Sequence, residues 1–247
     1  MNGPIELANG VYGLGSEVVN WYLVEEGGGL TAVDAGLPKF AETLEADLRA
    51  IGHSPGDVDA VVLTHSDSDH TGVAAALRDA GARVLIHSAD AETLRHPGPK
   101  KGDASPPRAL PQMAWRPRFW RFMGHMARAG GTKPPKVEDA DTFEDGEELD
   151  VPGRPRAVHT PGHTDGQCVL LFGAARALFV GDALCTENPL TGALGPQLMP
   201  KPMNVSTAQA RESLAAIERL QAGVLLPGHG APWHGSPAAA AARARNA

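Results

Sequence analysis

The chain has 247 residues, 42% of them hydrophobic, which is enough apolar material for a sizeable core in one large domain or two small ones. Its formal net charge of −7 argues against general nucleic-acid binding, which favours strongly basic domains. No basic stretch followed by an apolar run opens the sequence, no apolar run approaches the ~20 residues of a membrane span, and Cys168 and Cys185 form no disulfide or metal pattern. These features describe a cytoplasmic protein with buried thiols and no stable membrane insertion.

In chain order, residues 11–14 and 20–24 read as short strands, and Gly27-Gly28-Gly29 as a hairpin turn into a strand over 30–33. Residues 41–51 read as a helix, because Leu44, Leu48 and Ile51 recur at spacings of four and three. Gly52 stops it. A buried strand over 58–64, a helix over 73–80 ended by Gly81 and a strand over 83–87 follow. Five prolines between 97 and 111 predict irregular chain, and residues 118–129 predict an amphipathic helix with Phe119, Phe122, Met123 and Met126 on one stripe. Further on, 157–159, 169–172 and 177–180 are strand-like, 206–221 is a helix with Ser206 as N-cap, and 224–226 is a last strand. The organisation read is one domain over 1–236 with a basic and aromatic insertion at about 95–136, then an alanine- and arginine-rich tail over 237–247, helical at most and frayed.

Six residues carry the most chemistry. His65-Ser66-Asp67-Ser68-Asp69-His70 follows an apolar strand, and imidazole with carboxylate suits zinc, iron or manganese. Asp34, His163, Asp182 and His229 each stand just beyond another apolar strand. One histidine at a strand end is usually a satisfied structural group. Several segments repeating the pattern argue that one sheet edge gathers them. Ser66 and Ser68 alternate with the candidate ligands and read as structural, as does His87.

The order VDAG, HSDSDHTG, TPGHTDG, VGDAL and LPGHG resembles the metallo-β-lactamase-fold hydrolases over about residues 11–235. The resemblance implies a four-layer αβ/βα sandwich with a dinuclear metal site at one edge of the two sheets. It implies one metal held by His65, Asp67 and His163, a second held by Asp69, His70 and His229, and Asp182 bridging both. Asp34 would support the site through hydrogen bonds, fixing a histidine's tautomer. The implied activity is that of a metal-dependent hydrolase: a metal-bridging hydroxide, oriented by Asp69 and Asp182, attacks a lactone, ester, thioester or amide.

Asp67 departs from the family pattern, which has histidine there. Three carboxylates and a hydroxide would neutralise two divalent ions, whereas a histidine would leave one positive charge. Zinc remains the expected metal, and Asp67 opens the site to iron or manganese. The flavodiiron branch of the superfamily has a similar carboxylate, so an iron-dependent oxidoreductase is the alternative reading, followed by a non-catalytic metal- or ligand-binding homologue.

The insertion holds ten basic residues and one acidic residue, Asp103. It is expected to overhang the metal edge as a lid with an apolar pocket and a basic rim. Trp115, Phe119, Trp120, Met123 and, after the last motif, His234 are the expected substrate contacts. The implied substrate is a small hydrophobic molecule with an anionic group; packing arm, dimer contact and membrane-surface patch remain the competing roles for the insertion.

Overall fold

A computed structural model describes residues 3–133 and 136–247; Pro134 and Pro135, at the end of the insertion, lie outside the described residues, as do Met1 and Asn2. One sheet has seven strands in sequence order: β1 (Ile5–Ala8), β2 (Val11–Gly15), β3 (Asn20–Glu26), β4 (Gly29–Val33), β5 (Val58–Val62), β6 (Arg83–His87) and β7 (Asp141–Phe143). β1 to β4 run antiparallel, and β4 to β7 parallel. In the second sheet β8 (Arg156–His159) and β9 (Cys168–Phe172) lie antiparallel, and β10 (Ala177–Gly181) continues them. β11 (Cys185–Glu187) and β12 (Leu194–Gln197) form a separate hairpin, and β13 (Val224–Pro227) pairs parallel with β10.

Alternation along the strands assigns the layers. In β5, Ala60 and Val62 enter the core between the sheets, while Val61 faces the helices. In β10, Ala177 and Phe179 point inward, while Leu178 and Val180 point outward. The outer face of the first sheet is covered by α1 (Leu44–Ala50), α2 (Ala74–Asp79) and α3 (Ser88–Arg95) through Leu44, Leu48, Leu77 and Leu94. After α4 (Pro106–Met113), α5 (Pro117–Arg128) joins the same layer through Phe122 and Met126. α6 (Thr207–Glu218) and α7 (Pro237–Asn246) cover the second sheet through Leu214, Ile217, Ala240, Ala241 and Ala244. The order helix, sheet, sheet, helix is the four-layer sandwich. Among the described residues no helix is long and apolar enough to cross a membrane.

Two expectations need correction. The proline-rich half of the insertion is not all irregular: Pro106 and Pro107 open α4, where a missing N–H costs nothing because the first helical N–H groups have no intrahelical partner. The tail is not frayed: Ser236 caps α7 by accepting from Ala239 N, and Ala240, Ala241 and Ala244 are buried against α6 and its neighbours.

Candidate metal centre

The residues singled out in the sequence arrive at one edge of the paired sheets from separate strand ends. Asp34 follows β4, residues 65–70 follow β5, His163 follows β8, Asp182 follows β10 and His229 follows β13. β4 and β5 are parallel neighbours in one sheet, and β10 and β13 in the other, so their carboxyl ends open on the same side. Asp90 of α3 clamps two of the loops by accepting from Ser66 N at 2.9 Å, Thr164 Oγ1 at 2.8 Å and Gly166 N at 2.7 Å. A Cβ at Gly228 would lie 2.4 Å from His70 Cε1 and 2.6 Å from Asp182 Oδ1, so only glycine lets the end of β13 approach so closely.

Each of the four histidines is pinned at Nδ1. His70 Nδ1 donates to Asp34 Oδ2 at 2.8 Å, His229 Nδ1 to the Val18 carbonyl at 2.5 Å, and His163 Nδ1 to Asn204 Oδ1 at 3.1 Å. His65 Nδ1 lies 3.0 Å from Thr64 Oγ1, whose own proton goes to Asp34. The partners place the proton on Nδ1 and leave the Nε2 lone pair facing the centre. Asn204 itself is oriented by donating from Nδ2 to the Met199 carbonyl at 2.9 Å.

The Nε2 atoms converge on Asp182. Asp182 Oδ2 is 3.3 Å from both His163 Nε2 and His229 Nε2, and Oδ1 is 3.5 Å from His70 Nε2. Asp69 Oδ2 is 3.5 Å from His229 Nε2, and Asp67 Oδ2 is 3.7 Å from His65 Nε2 and 3.0 Å from His163 Nε2. Bonds of about 2.1 Å around a tetrahedral ion put neighbouring donors about 3.4 Å apart, close to most of these separations. His65 Nε2, His70 Nε2, His229 Nε2 and Asp182 Oδ1 are buried and have no hydrogen-bond partner among the described residues. Buried polar atoms are rarely left so, and a cation among them would satisfy all four. The donor sets that fit an ion are His65 with Asp67 and His163, Asp69 with His70 and His229, and His65 with His70 and Asp182.

The electrostatics favour a cation. Burial opposes charge on His70, yet Asp34 and Asp182 hold it well above the usual imidazole range. Burial is likewise outweighed at His229, which Asp182 and Asp69 raise to about 9. His163 is pushed down by burial and by the Lys100 ammonium. Asp67 and Asp182 stay well below the usual carboxylate range despite burial, Asp67 chiefly through Lys100 and Asp182 through His229 and His70.

A cavity of 580 Å³ stands over Asp67, Asp69 and Asp182, walled by Met113, Phe119, Phe122, Met123 and Met126 of the insertion and by Leu190 and Met203. Phe119 and Met123 therefore stand where the sequence expected substrate contacts. Trp115 and Trp120 do not: they are 69% and 58% exposed. Trp115 lies beneath the Arg116 guanidinium in the turn between α4 and α5, and Trp120 falls off the apolar stripe and donates from Nε1 to the Ala114 carbonyl at 2.7 Å. His234 is exposed and outside this cavity. The basic rim is also smaller than expected: Lys100 and Lys101 line the cavity, whereas Arg118 is tied to Glu187. Cys185 is a packed thiol, pushed up by burial, beside the Leu198 carbonyl. Thr64, Asp90, Lys100 and Asn204 bond to the cluster or its loops, and the sequence reading did not single them out.

The family model of the metallo-beta-lactamase superfamily matches residues 14–229, a span that includes every candidate ligand. The probable metallo-hydrolase YflN of Bacillus subtilis (strain 168) is 27% identical over 250 residues, covering 93% of this chain and 87% of the relative. A metallo-beta-lactamase family protein from Thermus thermophilus superposes with a TM-score of 0.70 at 25% identity, over 98% of this chain and 80% of that one. A B3 metallo-beta-lactamase described as having an active-site glutamic acid gives a TM-score of 0.70 at 25% identity, over 100% of this chain and 88% of its own.

Proposed function

The chain belongs to the metallo-beta-lactamase superfamily, and we propose that it is a hydrolase cleaving the lactone, ester, thioester or amide bond of a small, largely apolar substrate with an anionic group. The observation that carries the reading is the cluster of imidazole Nε2 atoms around Asp182, three of them buried without a hydrogen-bond partner among the described residues. In this reading His65, Asp67 and His163 hold one divalent ion, Asp69, His70 and His229 a second, and Asp182 lies between them. Four imidazoles suit zinc, and Asp67 adds an oxygen donor that iron or manganese prefers.

Ions bound there would supply an ionised water near neutral pH and polarise the attacked carbonyl. The chain does the rest. Asp69, at the cavity floor, would accept a hydrogen bond from the nucleophile and fix its direction. Asp34, Thr64, Asn204 and the Val18 carbonyl keep the imidazoles aimed. The methionine and phenylalanine walls exclude water and receive the apolar body of the substrate, and Lys101 meets its anionic group. The neighbouring B3 structure is named for an active-site glutamic acid, a carboxylate at the active site of that protein.

Metal analysis of protein purified without added metal, followed by chromogenic esters, lactones, thioesters, phosphodiesters and β-lactams, tests the proposal. Bound zinc with chelator-sensitive turnover of an acyl substrate supports it. Iron with oxygen consumption would replace it with the iron-dependent oxidoreductase that Asp67 also suits. Failure to take up metal on reconstitution would leave a non-catalytic ligand-binding homologue.

A further inference from the structure

Lys100 reaches from the chain between α3 and α4 into the ligand cluster, and each proton of its ammonium finds an acceptor there. Its Nζ lies 2.5 Å from Asp67 Oδ2, 3.0 Å from His163 Nε2 and 3.1 Å from the Met203 carbonyl. An ammonium has three donors and no acceptor, so these three contacts saturate it. The contact with His163 is the decisive one. Asn204 takes the Nδ1 proton, so Nε2 offers its single lone pair, and that lone pair is also the one a metal would use. Lys100 and a metal cannot share it.

The two halves of the site differ in this respect. Among the described residues no lysine or arginine pairs with Asp69, His70 or His229, whereas Lys100 sits on two of the three donors at His65, Asp67 and His163. We infer that Lys100 is the resident cation of the first metal position, so that the chain carries one ion tightly at Asp69, His70 and His229 and takes a second only as Lys100 withdraws. The inference rests on the metallohydrolase reading and deepens it.

Charge and tethering agree with this exchange. One divalent ion and one ammonium together match the three carboxylates Asp67, Asp69 and Asp182. With a second divalent ion, the ammonium would face an excess of positive charge at contact distance. The chain around Lys100 is held at fixed posts and loose between them. Arg95 Nε donates to the Glu138 carbonyl at 3.3 Å on one side. On the other, Asp103 N donates to the Val205 carbonyl at 3.0 Å and Asp103 Oδ2 accepts from Thr207 N at 3.2 Å. Residues 97–101, between these posts, belong to no helix or strand, so Lys100 can swing out while both anchors stay.

Chelator-competition titration of the metal-free full chain with zinc tests the inference. The wild type is expected to take its first ion tightly and a second at least about tenfold more weakly; in Lys100→Met the second should tighten by about tenfold or more, with the first little changed. Amine labelling read by mass spectrometry follows the lysine in the wild-type protein itself: Lys100 should be protected with one equivalent of zinc and become reactive with the second. Two equally tight ions in the wild type, a second affinity unmoved by Lys100→Met, or unchanged Lys100 labelling overturns the inference and leaves the metallohydrolase reading standing. No zinc uptake by either protein overturns both.

Discussion

Asp34 and His70 are joined by a 2.8 Å hydrogen bond from Nδ1 to Oδ2, and the same carboxylate governs a second histidine at one remove. Thr64 Oγ1 lies 2.9 Å from Asp34 Oδ2 and 3.0 Å from His65 Nδ1, donating to the carboxylate and accepting from the imidazole. One side chain thus sets the tautomer of imidazoles in both donor sets. It does so from a backbone at φ 59°, the left-handed region that aspartate and asparagine tolerate better than most residues. Asp34→Asn keeps the shape and the backbone tolerance and removes the charge. Metal affinity should fall by about 10- to 100-fold with the fold retained, as measured by chelator competition and circular dichroism. Unchanged affinity would show that packing alone aims the imidazoles.

Protons and metal compete for the same Nε2 atoms, and the direction of the competition follows from the charges. Despite burial, Asp182 and Asp69 raise His229 to about 9, and Asp34 and Asp182 hold His70 well above its ordinary value. For a group whose folded value is raised, the added stability is fully present below the unfolded value of about 6.5 and is lost as pH rises through the folded value. The metal-free chain should therefore melt at progressively lower temperature as pH rises from 6.5 past 9, while metal-loaded protein should not follow that slope. Uptake of the ion at Asp69, His70 and His229 at pH 7 should release about one proton or more, and its affinity should climb with pH until near 9. Calorimetry in buffers of different ionisation enthalpy counts the protons; uptake without release would contradict the assignment of His70 and His229.

The candidate ligands were legible because each follows an apolar strand, and strand ends on one side of a sheet must meet. Their supports were not. Asn204 lies in a periodless loop before α6, and Val18 contributes only a carbonyl. Lys100 disappeared among ten basic residues, because charge counts carry no direction. Spacing does carry direction: Phe119, Phe122, Met123 and Met126 fall on one helical stripe and all line the cavity, whereas Trp120, about 100° around the helix from Phe119, faces solvent. The tail misled for a related reason. Ala240, Ala241 and Ala244 give a weak apolar signal, yet their small size lets α7 settle closely against the second sheet's helical layer.

That difference between the aromatic residues of the insertion makes a kinetic prediction. Met123 is half-buried on the cavity wall, and Phe119 is buried beside it. Removing either side chain strips apolar contact from the bound acyl portion while leaving Asp69, Asp182 and the histidines in place. Met123→Ala and Phe119→Ala should raise KM for a long-chain acyl ester by about tenfold and leave kcat for a short acetyl ester little changed. Trp115→Ala and Trp120→Ala should leave both constants near wild type, because neither indole borders the cavity. The comparison of chain lengths separates pocket from packing: general destabilisation would lower turnover of short and long esters together. Selective loss with the tryptophan variants would move the substrate to the outer surface of α5 and remove the cavity from the account.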